Sequence, residues 1–193
     1  MKKDIILAGV GGQGIISIAS IIGFAALEQG MYLKQSEVHG MSQRGGDVMS
    51  NLRISEQEIA SDLIPFGQAD MIISIEPMES LRYLPYLSQE GWVITNTQPF
   101  NNIPNYPDLD KVIAEIVNIP HHIVLDADTA AKETGSPKVA NIVILGAASP
   151  FLGMTYEKLE NAIRHIFGRK GEEVIELNLK ALKAGRVFAE KQM

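Results

Sequence analysis

Ile5-Ile6-Leu7-Ala8-Gly9-Val10-Gly11-Gly12-Gln13-Gly14-Ile15-Ile16 is the stretch whose reading decides the fold. Its first four residues form a short continuous apolar run, the composition of a strand buried on both faces of a parallel sheet. The next six fit the spacing G-x-G-x-x-G. A helical pattern then runs from Gln13 to Gln29 and stops at Gly30, a residue suited to a helix end. Glycines in such a turn let backbone N–H groups approach an anion at the helix N-terminus. The same residues also suit a turn that only packs helix against strand, and the pattern alone leaves both readings open.

Working outward, further strands are expected at about 31–36, 47–54, 70–75, 92–95 and 123–125. Glu76-Pro77 opens a helix with proline in its first turn, where its missing N–H costs nothing. Other helices are expected near 109–117 and from there to the end, the last covering about 172–190. Three prolines and three asparagines mark 98–107 as a surface loop. This alternation predicts an α/β, three-layer, Rossmann-like domain with a mainly parallel sheet flanked by helices, built as one domain over 1–193.

Two helices are more apolar than one buried face requires. The first carries Ile15, Ile16, Ile18, Ile21, Ile22, Phe24 and Leu27 around most of its circumference. The last has Val174, Leu177, Ala181, Ala184 and Phe188 as one stripe, with Ile175, Leu179 and Leu182 beside it. Core packing explains such stripes; a surplus stripe that docks on a partner, and self-associates when the chain is isolated, is the alternative.

A net charge of -6 with no basic stripe argues against a nucleic-acid partner. The chain contains no cysteine, which excludes disulfides, a thiol nucleophile and cysteine-ligated iron–sulfur clusters on this polypeptide. Met1-Lys2-Lys3 followed by uncharged residues 5–27 superficially suggests a signal peptide. Asp4 and the glycine cluster interrupt that pattern, so the expectation is a cytoplasmic protein without a membrane anchor.

The second motif is Ser36-Glu37-Val38-His39-Gly40-Met41-Ser42-Gln43-Arg44-Gly45-Gly46-Asp47. Following the second strand, it is expected as a loop at the carboxyl edge of the sheet beside the glycine turn, where open α/β sheets bind ligands. Glu37, 23 residues beyond Gly14, is near the spacing of a ribose-binding acid. His39 offers an imidazole that can exchange a proton, and Arg44 offers a planar fork to a carboxylate or phosphate. The candidate ligand-binding residues are Gly9, Gly11, Gly12, Gln13, Gly14, Ser36, Glu37, His39, Arg44, Gly45 and Gly46, with His39 and Arg44 as the catalytic candidates. A purely structural loop is the competing reading. Elsewhere, His121-His122 lacks ligand partners at useful spacing, so no metal is expected. Glu76 and Glu79 suit the first turn of a helix. Asp126 and Asp128 follow a strand at the sheet edge and could reach a ligand there, but a helix cap is the role they suit better.

Ala8-Gly9-Val10-Gly11-Gly12-Gln13-Gly14-Ile15 resembles the opening signature of the gamma-type domain of pyruvate and other 2-oxoacid:ferredoxin oxidoreductases. Ser36 through Gly46 resembles the version found in small (beta) subunits of indolepyruvate oxidoreductases. Glu76-Pro77-Met78-Glu79-Ser80-Leu81-Arg82-Tyr83-Leu84-Pro85-Tyr86-Leu87, Asn96-Thr97 and Asn141-Ile142-Val143-Ile144-Leu145-Gly146-Ala147 extend the similarity along nearly the whole chain. The resemblance implies a non-autonomous subunit of an enzyme that converts a 2-oxoacid, here an indolepyruvate or arylpyruvate, to acyl-CoA and CO2. It implies thiamine diphosphate, magnesium and iron–sulfur clusters on a large partner subunit, coenzyme A as acyl acceptor, and ferredoxin reached through the complex. No such cofactor is expected on this chain alone. An independent NAD(P)-binding reductase and a non-catalytic assembly subunit are the rival readings, and pyruvate or another 2-oxoacid is the alternative substrate.

Overall fold

A computed structural model of the chain describes residues 1–40, 45–101 and 103–193. The six strands are β1 (Lys2–Val10), β2 (Tyr32–His39), β3 (Asp47–Ser55), β4 (Ala69–Ser74), β5 (Leu87–Asn96) and β6 (His122–Leu125). The helices are α1 (Ile15–Leu27), α2 (Pro77–Arg82), α3 (Leu109–Val117), α4 (Ala127–Thr134), α5 (Ala140–Ala148), α6 (Tyr156–Phe167) and α7 (Glu172–Glu190). The α/β class and the flanking helices are as the sequence predicts.

Strand order is β2-β3-β1-β4-β5-β6. β1, β4, β5 and β6 pair in parallel, whereas β3 lies antiparallel between β1 and β2. Five strands therefore point one way and the sheet is mixed, with only β3 reversed. The reason is local. Residues 40–46 are too few for a crossover helix, so β2 and β3 must meet as a hairpin. β3 keeps an unbroken register with both neighbours, from Lys2↔Ser55 to Val10↔Asp47 on one side and Tyr32↔Ser55 to His39↔Val48 on the other. β1 consequently starts at Lys2 rather than Ile5. Its polar end is fixed by Asp4, whose carboxylate takes a two-pronged contact from Arg53 at 2.7 and 3.0 Å.

Alternation along β1 splits the core. Ile5 and Leu7 face α1 and α5; Ile6 and Ala8 face the thinner side, with Tyr83, Val112 and Ile116. The apolar excess of α1 is mostly satisfied within the chain. Ile15, Ile18, Ile21 and Ile22 are buried, and Phe24 stacks on His165 of α6. Ile16 (60%) and Leu27 (56%) remain exposed. Ile175, Leu179 and Leu182 of α7 are buried as well, which favours core packing for the last helix. α5 is covered by the sheet below and α7 above, so eight of its nine residues are buried. Among the described residues no helix is long and apolar enough to cross a membrane.

α5 and α7 cross where each presents a glycine. A Cβ built on Gly185 would stand 1.9 Å from the Val143 carbonyl oxygen, and one on Gly146 would stand 2.1 Å from that of Leu182. Both obstacles are backbone, so the helices would have to separate. Gly185→Ala should therefore lower stability by about 1–3 kcal/mol through overpacking, despite the roughly 1 kcal/mol by which alanine favours a helix. Urea unfolding of the two proteins measures this; equal stability would mean the crossing relaxes freely.

Candidate functional site

The glycine turn is shaped by its own polar atoms. Gln13 folds back so that its Oε1 accepts the Val10 N–H at 2.7 Å. Gly12 and Gly14 adopt φ of 101° and 86°, in the region that favours glycine. Gly14 is the N-cap of α1, and its carbonyl accepts Asn141 Nδ2 at 3.1 Å. A Cβ at Gly14 would meet that nitrogen at 2.5 Å, so this glycine serves packing against α5. At Gly12 a Cβ would meet nothing within 4 Å. Packing thus accounts for one glycine, while the other borders open space.

The tip of the hairpin returns to this turn. Gly11 N–H donates to the Gly46 carbonyl at 2.8 Å, and Gly45 N–H donates to the Gly11 carbonyl at 3.4 Å. The second motif therefore does stand beside the first, although it is not the loop expected. Ser36, Glu37 and His39 belong to β2, which runs on to His39. Pleating sends Ser36 to the opposite face, where its cross-strand partner is Asn51. Among the described residues its hydroxyl has no hydrogen-bond partner there. Glu37 and His39 face α1, with Glu37 Oε1 2.7 Å from His39 Nε2. Glu37 cannot take the usual ribose-binding position, since β3 separates β2 from β1. Arg44 lies outside the described residues.

Three clefts converge on Gly12. The first, about 290 Å³, is walled by Val10, Ile15, Ile16 and Val48, with Glu37 and His39 at its polar side. The second, about 280 Å³, lies between the carboxyl ends of β1 and β4 and includes Gln13, Asn96, Asp128, Lys138 and Asn141. Chain connections diverge to opposite faces at this point, which makes it the topological switch of the sheet. The third, about 340 Å³, runs past Ser17, Lys138 and Lys170 toward α7. Among the described residues no three His, Asp or Glu side chains converge as metal ligands.

A model of the family described as pyruvate ferredoxin/flavodoxin oxidoreductase matches residues 4–188. The chain belongs to this family. It is similar to the indolepyruvate oxidoreductase subunit IorB of Archaeoglobus fulgidus, at 38% identity over 96% of this chain and 94% of that protein. A keto/oxoacid ferredoxin oxidoreductase gamma subunit from Geobacter sulfurreducens superposes with TM-score 0.71 and 26% identity, covering 98% and 99% of the two chains. The 2-oxoglutarate:ferredoxin oxidoreductase of Magnetococcus marinus, with 2-oxoglutarate, coenzyme A and succinyl-CoA bound, shares the fold at TM-score 0.77 and 24% identity. That match covers 98% of this chain but 31% of the other, so this chain spans about a third of that polypeptide.

Within this member of the pyruvate ferredoxin/flavodoxin oxidoreductase family, sequence reasoning passed over Asn96 and Lys138 as ligand contacts and gave Asp128 to a helix cap ahead of a ligand. Asn96 ends β5 and bridges inward, accepting the Ala127 N–H at 3.0 Å and donating to Asp128 at 2.7 Å. Its place at the carboxyl end of a strand was the available signal. Asp126 caps α4 through Thr129, as expected, while Asp128 turns toward the cleft. Glu76 likewise caps α2, its Oε2 accepting the Glu79 N–H at 2.9 Å. Burial pushes the Glu79 carboxyl above its ordinary value, although the Arg82 guanidinium, bonded at 2.8 and 3.1 Å, pulls it down.

Glu76 does more than cap. It is wholly buried, and its Oε1 accepts both the Tyr106 hydroxyl and the Phe100 N–H. These bonds hold the loop beyond β5 over the switch-point cleft. Burial, and then the bond to Glu76, raise the Tyr106 phenol above its ordinary 10.0. A raised phenol contributes stability that is full below about pH 10 and is lost as pH climbs through the folded-state value. Tyr106→Phe should cost about 1–2 kcal/mol, a difference constant up to about pH 10 that shrinks only beyond it. Thermal or urea melts across that range check the size and the sign.

Proposed function

We propose that this chain is the small subunit of an indolepyruvate-type 2-oxoacid:ferredoxin oxidoreductase. The observation that carries the reading is the 38% identity to an indolepyruvate oxidoreductase subunit along nearly the full length of both proteins. The reaction joins the acyl part of an arylpyruvate to coenzyme A, releases CO2 and a proton, and passes two electrons to ferredoxin. With no cysteine in this chain, the cluster ligands belong to a large partner subunit, as do thiamine diphosphate and its magnesium. The cofactors supply decarboxylation and electron transfer; this chain supplies binding, orientation and closure of the shared site.

The ligand-facing surface is the glycine turn with the end of the hairpin return: Gly11, Gly12, Gly14, Gly45 and Gly46, together with His39. The backbone at the start of α1 suits a phosphate group of coenzyme A, and Gly12 leaves room for it. An autonomous NAD(P) reductase is disfavoured, because the acidic residue such a site uses would have to stand on a strand beside β1, and β3 occupies that place.

Purified alone, the chain should be colourless and inactive. Anaerobic mixing with the large subunit should yield 2-oxoacid-dependent reduction of an electron acceptor that needs both proteins. Oxidation of NAD(P)H by the isolated chain, or full activity of the large subunit without it, would overturn the assignment.

A further inference from the structure

We propose that His39 is the base that takes the proton from the acyl-accepting thiol, with Glu37 as its positioning residue. This rests on the functional reading above and adds a chemical role for side chains of the small subunit. The carboxylate–imidazole contact of 2.7 Å places Glu37 on Nε2. A carboxylate there accepts the Nε2 proton, which leaves Nδ1 as the basic atom. Glu37 is 13% exposed at its side chain, and its Oε2 is buried without a hydrogen-bond partner. Among the described residues its one polar side-chain contact is therefore the imidazole, which it serves to orient. His39 is 52% exposed, so it can receive a thiol and pass the proton on to water.

The surroundings favour a thiolate over other uses of the pair. Val10, Ile15, Ile16 and Val48 line the cleft and limit its water. Among the described residues the charged group on the cleft side with His39 is Glu37 on its own strand. Asp47 lies on the other face of the sheet, where it meets the Tyr83 hydroxyl. The turn at 10–14 and all of α1 contain no ionisable side chain, so no lysine or arginine there competes for the sulfur. The N-terminal end of α1 borders the same cleft and lowers the cost of a thiolate. In the step, the S–H bond breaks with its electron pair kept by sulfur. The proton bonds to Nδ1, and the thiolate forms the C–S bond of the thioester as the bond between the acyl carbon and its carrier on the partner breaks, with the carrier keeping that electron pair. The two electrons of that oxidation leave through the clusters to ferredoxin.

The test uses the reconstituted two-subunit complex carrying His39→Gln or Glu37→Gln. H39Q should lower kcat/KM for coenzyme A by about 100-fold or more and abolish the bend of its pH profile near neutrality. The loss should fall on kcat rather than on coenzyme A affinity, which calorimetry reads separately. E37Q should give about a tenfold loss with the bend moved to lower pH, as a lost carboxylate makes the imidazole less basic. With only this chain labelled at histidine, long-range proton–nitrogen NMR of the complex should show His39 as the Nε2–H tautomer, and E37Q should lose that preference. Wild-type pH profiles in both variants would overturn the proposal, as would weakened coenzyme A binding at unchanged kcat, which would mark His39 as an anion clamp. If H39Q does not assemble, E37Q decides, and an unmoved bend overturns it. A wild-type complex that fails to oxidise any 2-oxoacid overturns the functional reading instead, so the two failures are distinguishable.

Discussion

Backbone hydrogen bonds between Gly11 and Gly45-Gly46 join the first turn of the fold to the tip of the β2–β3 hairpin. Much else follows from that junction. The return through residues 40–46 is short, so β3 has to run antiparallel and occupies the place beside β1. β2 is pushed to the sheet edge, and Glu37 and His39 arrive over α1 rather than at a ribose-binding position. The glycine turn, which could be only a packing device, becomes one wall of three clefts.

Two further constraints hold that junction rigid. On the α1 side, α5 and α7 cross at Gly146 and Gly185, close enough that no side chain fits between the backbones. This brings Asn141 against Gly14 and sets the direction of α1. On the other side the wholly buried Glu76 ties α2, Phe100 and Tyr106 together at the carboxyl edge. A buried carboxylate persists only when its lone pairs are occupied, and three donors occupy them here. Asp4 and Arg53 play the equivalent part at the opposite end of β1.

Legibility in the sequence followed the physics of each segment. Continuous apolar runs such as Ile5-Ile6-Leu7-Ala8 and Met71-Ile72-Ile73 announce buried strands, because both faces of the central sheet are covered. Helix starts at Pro77 and Leu109 were visible because proline and Asp108 are local signals that need no tertiary help. Strand ends were not: Lys2, Lys3 and Asp4 look like a polar leader, and extend β1 only because β3 supplies hydrogen-bond partners and Arg53 a counter-charge. Ser36 was grouped with Glu37 and His39 by proximity in sequence, yet pleating places it on the far face. Asn96, Asp128 and Lys138 were not read as one site, since they lie on separate segments that only the topology gathers.

The sequence by itself determined the α/β class, the glycine turn, the positions of α1, α3 and α7 and the start of α2, and, through the absence of cysteine, that this chain cannot hold a cysteine-ligated cluster. These follow from local periodicity, single-residue backbone preferences and ligand chemistry, which act over a few residues. Tertiary structure alone decided the insertion of β3, the pairing of Glu37 with His39 over α1, the buried Glu76 clamp and the convergence of three clefts on Gly12. Each of those depends on which strand lies beside which, and strand order is set by long-range pairing and loop length together.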